Sequence, residues 1–297
     1  MRQQELVIAY GVHESGRREV LGLDSGEAEA GPFGATSCTA SKRAAWTACC
    51  CARGDRGGAQ RQASATYRSS MAEPRIALAV IDLAGTTVRD DGAVEGALVD
   101  ALRAVGKLDG EPGDELVAHL RDTMGTSKIE VFRDLVGDEG RAQEANTAFE
   151  AAYARRVEGG EVIALPGAED AFRALRDAGV RVSLTTGFSA ATRDLLIEAL
   201  GWRDAVDLTL SPEGDVRGRP APDLVLMSLM RLRLDDVRAV AVAGDTPNDL
   251  VCGHRAGASI VAGVLGGVHG RETLAQAPHT HLLESIADLP AVVAERR

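Results

Sequence analysis

The chain has 297 residues, 45% of them hydrophobic, enough for one large domain or two ordinary ones around a real core. Its net charge of −11 is uneven: residues 1–70 carry 9 Lys and Arg against 7 Asp and Glu, and the remainder 24 against 37. Such an acidic body argues against a nucleic-acid-binding surface, no apolar run approaches the ~18 residues of a membrane span, and the first residues lack the basic and apolar regions of a secretory signal.

The first seventy residues fall into two parts. Residues 5–29 hold two short apolar runs flanking His13-Glu14-Ser15-Gly16, the pattern of a hairpin. Residues 30–70 are rich in Ala, Gly, Ser, Thr and Arg without apolar periodicity and are expected to be poorly ordered. Cys38, Cys49, Cys50 and Cys51 fit neither a paired CxxC zinc site nor a disulfide framework. Cys252 reads as a small buried hydrophobe, so the expected compartment is reducing and cytoplasmic. Residues 5–29 resemble a fragment of a mutator-type transposase that stops before its catalytic carboxylates. That resemblance implies an upstream piece fused in frame ahead of Met71, and an ordinary extension is the alternative; neither gives the segment an activity.

The body, from residue 71, opens on Ile76–Ile81, six residues without a polar side chain, the mark of a strand buried on both faces of a parallel sheet. The run ends in Asp82, followed by Gly85, Thr86 and Thr87, and ligands of open α/β sheets sit beyond the carboxyl ends of strands. Val94, Leu98, Ala101, Leu102 and Val105 then recur at helical spacing, ending at Gly106. Further helices are predicted around 115–123, from Ser127 to Val136, and across 143–157. No strand pattern interrupts residues 91–161, so a helical insert over residues 91–165 is expected to act as a lid.

Pro166-Gly167 marks the return to the main layer, which takes in residues 71–90 and 166–297. A helix closed by Gly179 leads to a strand over Val180–Leu184 and the turn Thr185-Thr186-Gly187. Ser189 caps the next helix, Val206–Leu210 is a strand, and Gly218-Arg219-Pro220 precedes a helix over Asp223–Leu232. Strands over Arg238–Ala243 and Ile260–Leu265 follow, the first running into Gly244-Asp245-Thr246-Pro247-Asn248-Asp249, and a short helix near 286–294 closes the chain. Strand and helix alternate, so the fold class is α/β with a Rossmann-like parallel sheet.

Polar groups lie beyond four successive apolar runs: Asp82, Thr185, Arg219 in the following loop, and Asp245 with Asp249. A lone aspartate at a strand end is most often a cap; four such stations in order are not explained by capping. With Asp82-x-x-Gly85-Thr86, hydrophobic-Thr185, Arg219-Pro220 and Gly244-Asp245-x-x-x-Asp249, residues 76 to about 266 resemble the haloacid dehalogenase superfamily of phosphotransferases. The resemblance implies that Asp82 is a nucleophile forming an aspartyl-phosphate. It implies Mg²⁺ held by Asp82, the backbone carbonyl of Ala84 and Asp245, with Asp249 adjacent or acting through water. Thr185 and Arg219 are then expected to bind phosphoryl oxygens.

Ala84 departs from the pattern, because most superfamily phosphatases carry there an Asp that protonates the leaving alkoxide. One reading is a crippled phosphatase. The other comes from Met124-Gly125-Thr126-Ser127-Lys128-Ile129, which resembles the cap motif of the phosphonoacetaldehyde hydrolase (phosphonatase) family, whose matching lysine forms an imine with the substrate aldehyde. A protonated imine accepts the electrons released when a C–P bond breaks, and a guanidinium is too poor a nucleophile to form one. The chain has three lysines (Lys42, Lys107 and Lys128) among 33 basic residues, so a lysine here is not its default surface cation. The resemblance implies substrate contacts at Thr86, Met124, Gly125, Thr186 and Gly187, and a homodimer through the helical insert. Val131 and Phe188 stand where that family carries a histidine and a tyrosine, and Leu83 where it carries a tryptophan.

The expected function is thus C–P hydrolysis of a small carbonyl-bearing phosphonate, phosphonoacetaldehyde or an analogue. The first alternative is a phosphomonoesterase or phosphomutase on the same fold; a non-catalytic binding module or a DNA-acting relic is the alternative from another class.

Overall fold

The structure, a computed structural model, describes residues 4–13, 18–27, 46–48, 74–89 and 91–296, the first three stretches as backbone. Two compact units divide the chain, Met1–Ser70 and Met71–Arg297. In the first, β1 (Gln4–His13) pairs antiparallel with β2 (Arg18–Glu27), the hairpin expected from the turn residues between them, with a register irregularity at Ala9/Tyr10. A short β3 (Trp46–Ala48) pairs antiparallel with β1, although no apolar periodicity marks the 30–70 stretch. The rest of 30–70, with its four cysteines and the expected poor order, lies outside the described residues.

The second unit is built on β4 (Leu78–Asp82), whose five residues are all buried. A two-residue strand β5 (Val88–Arg89) leads into four helices: α1 (Ala93–Ala104), α2 (Asp114–Asp122), α3 (Lys128–Val136) and α4 (Glu139–Glu158). The chain returns through β6 (Ile163–Ala164), which pairs antiparallel with β5. The outgoing and returning segments of the helical insert therefore run side by side as a ribbon, extended by a hydrogen bond from the Leu165 amide to the Thr87 carbonyl at 2.8 Å. Then follow α5 (Ala168–Asp177), β7 (Arg181–Thr185), α6 (Ala190–Ala199), β8 (Leu208–Leu210), α7 (Asp223–Arg231), β9 (Val240–Gly244), α8 (Pro247–Ala256), β10 (Ile260–Val264), α9 (Arg271–Leu274), β11 (His281–Leu283) and α10 (Leu289–Ala294).

Six strands form one sheet in the order β11-β10-β9-β4-β7-β8, and every neighbouring pair is parallel. The sequence-based expectation of a Rossmann-like parallel α/β core holds. Period-two alternation gives β4 two apolar faces: Ala79 and Ile81 pack in the cluster of Phe172, Leu175 and Leu196, while Leu78 and Val80 pack with Val225, Cys252 and Ala256. From β4 the chain winds outward to β7 and β8, then returns to β9 on the other side of β4. Such a reversal in strand order opens a crevice at the carboxyl ends of the strands, where Asp82 pairs in register with Thr185 and Gly244 ends β9.

Candidate active site

Two adjacent parallel strands and the helix that follows the second deliver the carboxylate centre. Asp82 ends β4, Asp245 follows β9, and Asp249 sits in the first turn of α8, where a capping box with Thr246 fixes it. The Thr246 backbone amide and hydroxyl both donate to Asp249 Oδ2, at 3.1 and 2.6 Å. All three acids are buried, and a ligand oxygen from each lies within 4.8 Å of the others.

Glycines allow this crowding. Gly85 has φ +87°, and a Cβ there would stand 2.3 Å from Asp245 Oδ2; one at Gly267 would stand 2.1 Å from the same atom. Asp245 is held by the Thr86 hydroxyl at 2.9 Å and the Val268 amide at 2.8 Å. Thr86, expected to contact substrate, donates its hydroxyl to Asp245, whose carboxylate lines the cavity.

Arg219 is the cation of the centre and is 3% exposed. Its Nη1 donates to Asp82 and lies 2.8 Å from Asp249 Oδ1, and its Nη2 donates to Thr185 Oγ1 at 2.7 Å. With its oxygen accepting from Arg219, the Thr185 hydroxyl keeps its own proton to donate. Burial opposes the Arg219 charge, but Asp249 and Asp82 more than offset it and hold the guanidinium above its ordinary pKa. Burial pushes the Asp82 carboxyl up to about 7, against the pull of Arg219 and with a further push from Asp249. Burial, with the charges of Asp82 and Asp249, also drives Asp245 well above the carboxylate range.

Burial and mutual repulsion make the three clustered carboxylates costly to ionise together, and their donor atoms are all hard oxygens. This set fits a divalent cation such as Mg²⁺.

The helical insert closes over this centre. Asp82, Ala84 and Asp245 from the sheet share a cavity of about 20 Å³ with Met124, Gly125 and Lys128 from the insert. Thr186, Gly187 and Phe188 complete the wall on the β7 side. Thr185, Arg219 and Asp249 do not line that cavity; Arg219 joins Thr185 and Asp249 to Asp82. Lys128 begins α3, is 4% exposed, and places Nζ 5.9 Å from the Phe188 ring centroid. Phe188 packs at 4.8 Å on Tyr153 and 6.1 Å on Phe149, which lies 6.2 Å from Phe132. Three of the five phenylalanines thus join one aromatic wall beside the amine, in a chain only 3% aromatic.

Two residues of the site, Asn248 and Gly267, are given no role by the sequence, because neither carries a signal of its own: a glycine marks close approach only once its neighbour is known. The side chains of His119, His254, Trp202 and Cys252 lie outside this centre. His119 and His254 are exposed, and Trp202 is buried edge-on against Phe172 at 5.1 Å. Cys252 is buried, its thiol pushed up to about 11 chiefly by burial. A larger groove of about 710 Å³ opens at the start of β7, but Arg176 and Arg181 there pair with Asp207, and no residue of the carboxylate centre reaches it.

The profile of the family described as haloacid dehalogenase-like hydrolase matches residues 76–257. Among curated proteins, the chain is 24% identical over 216 residues to "Probable phosphatase IndB" of Dickeya dadantii, covering 71% of this chain and 91% of that protein. It is 26% identical over 253 residues to a phosphonoacetaldehyde hydrolase of Pseudomonas entomophila, covering 73% and 91%. Among solved structures, a phosphonoacetaldehyde hydrolase-like protein of Oleispira antarctica superimposes with a TM-score of 0.65 at 22% identity, covering 76% of this chain and 94% of that one, which shows a shared fold. No helix among the described residues is long and apolar enough to cross a membrane.

Proposed function

Because the chain belongs to the haloacid dehalogenase-like hydrolase family, we propose that it is a Mg²⁺-dependent hydrolase that cleaves the C–P bond of a small carbonyl-bearing phosphonate, phosphonoacetaldehyde or an analogue. The observation that carries this reading is the place of Lys128, an almost fully buried amine on the wall of the same cavity as Asp82. Lysine is almost never fully buried unless paired, and the Phe188 ring stands beside this amine.

In this mechanism the Lys128 amine attacks the substrate carbonyl and water leaves, giving a protonated imine. Asp82 then attacks phosphorus; the C–P bond breaks, its electron pair passes to carbon as an enamine, and the phosphoryl group stays on Asp82. Protonation of the enamine and hydrolysis of the imine release the aldehyde, and water cleaves the aspartyl-phosphate. Thr185 donates to a phosphoryl oxygen, while Arg219 holds Asp82 and Thr185 in mutual register. Asp82, Asp245 and Asp249, with the Ala84 carbonyl, would hold Mg²⁺, which when bound offsets the negative charge of the phosphoryl oxygens. A cavity of about 20 Å³ admits roughly one water, so the arrangement described is closed and substrate entry requires the insert to lift.

The competing reading is a phosphatase acting on small esters, favoured by the likeness to "Probable phosphatase IndB". Against it stands Ala84, which leaves the leaving-group position of the cavity without a carboxyl. Phosphate release from phosphonates and phosphate esters, with and without Mg²⁺, separates the two. Lys128→Arg is expected to abolish release from phosphonoacetaldehyde while only weakening any ester hydrolysis. Equal residual activity on both substrates would assign the protein to ester chemistry.

A further inference from the structure

The loop Met124–Ser127, which delivers Lys128 from the insert, touches the core with almost no clearance. Gly125 has φ +81°, and a Cβ on it would lie 2.7 Å from Thr246 Oγ1. From the core side, a Cβ on Gly187 would lie 2.4 Å from the Thr126 carbonyl oxygen. The Lys128 amide donates to the Gly187 carbonyl at 3.3 Å. Close approach of this kind gives contact but little direction, and direction is what hydrogen bonds add.

Beside that backbone bond, one side chain adds direction. Asn248 Nδ2 donates to the Met124 carbonyl at 3.1 Å and to Thr126 Oγ1 at 3.3 Å, so one primary amide binds both sides of Gly125. Asn248 lies in the first turn of α8, between Pro247 and Asp249, a turn made rigid by the capping box of Thr246 and Asp249. It is not on the cavity wall.

We infer that Asn248 is a positioning residue: it clasps the loop of the closed insert and thereby sets where the Lys128 amine stands relative to Asp82. The clasp and the carboxylate Asp249 share one helical turn, so the geometry of the acid centre and that of the amine are referred to the same rigid piece of backbone. The inference deepens the reading of Lys128 as the reacting amine and rests on it for its catalytic consequence, but the clasp itself is tested without that chemistry.

The test is amide hydrogen exchange on the full chain with Mg²⁺ present, comparing wild type with Asn248→Ala, the similarly sized non-donor Asn248→Leu, and Thr126→Val, which removes one acceptor and leaves α8 untouched. Loss of the clasp is expected to speed exchange at Thr126 and Lys128 by roughly tenfold in the Asn248 variants and by less in Thr126→Val. Exchange across Leu78–Asp82 stays as in wild type. In steady state the Asn248 variants should lose roughly tenfold or more in kcat for C–P cleavage, with inhibition by inorganic phosphate unchanged within about twofold. Wild-type exchange at Lys128 in all three variants would overturn the inference and leave C–P cleavage standing. Faster loop exchange in a protein that hydrolyses only esters would support the clasp and remove the imine.

Discussion

Ala84 stands two residues beyond Asp82 on the cavity wall, where a methyl group can neither give nor take a proton. If the leaving group departs onto an imine, no acid is needed at this position. If an alkoxide leaves, the missing acid is worth about 10²- to 10⁴-fold. Ala84→Asp is therefore expected to raise ester hydrolysis by roughly tenfold or more without raising release from phosphonoacetaldehyde, and no gain on any ester would contradict this account of the residue. At this scale the sequence was legible where a polar residue ended an apolar run, and the structure brings Asp82, Thr185, Arg219, Asp245 and Asp249 together. It was not legible where a role depends on a partner distant in the chain. Thr86 meets Asp245 across 159 positions, and Asn248 meets Met124 across 124. Motif spacing marks a residue's presence and leaves its partner unstated.

Elements long enough to repeat a period were readable. The stripe of α1 and the strand of β4 fall where apolar spacing predicts them. The first turn of α4, Glu139-Gly140-Arg141-Ala142, was passed over because it has no apolar stripe and contains a glycine; the Asp138 carboxylate starts the helix instead, accepting from the Arg141 amide at 2.9 Å. The strands β5, β6 and β11 have two or three residues each, too few to show alternation, and they form only through pairing. The junction between insert and core has a sharp test of its own. Gly187→Ala puts a methyl group onto the Thr126 carbonyl, so the insert cannot seat. A misplacement of about 1 Å can cost roughly 10²-fold in rate. A fall of that order in kcat/KM with the thermal midpoint held within a few degrees is expected, and wild-type kinetics would show that the closed contact is not the working one.

Across the whole molecule, a parallel sheet collects acids from distant parts of the chain at one edge, and their mutual repulsion links metal, pH and stability. Without metal, burial raises Asp82 from an ordinary 3.8 to about 7. The metal-free folded state then binds more protons than the unfolded chain between those values, so this group's contribution to stability falls as pH rises through that window. A divalent cation favours the charged carboxylates and reverses the loss. Saturating Mg²⁺ should therefore raise the thermal midpoint more at pH 8 than at pH 5, and equal shifts would mean that these acids do not hold the ion. The α/β class could be read from the alternation of strands and helices alone, whereas closure of the insert could not, since it depends on loop contacts with no periodic trace. The most direct measurement of the central claim is borohydride reduction of the protein during turnover of phosphonoacetaldehyde, followed by peptide mass analysis. A substrate-dependent adduct on Lys128 is predicted, absent in Lys128→Arg; active turnover with no adduct at Lys128 would contradict the imine and leave an ester hydrolase.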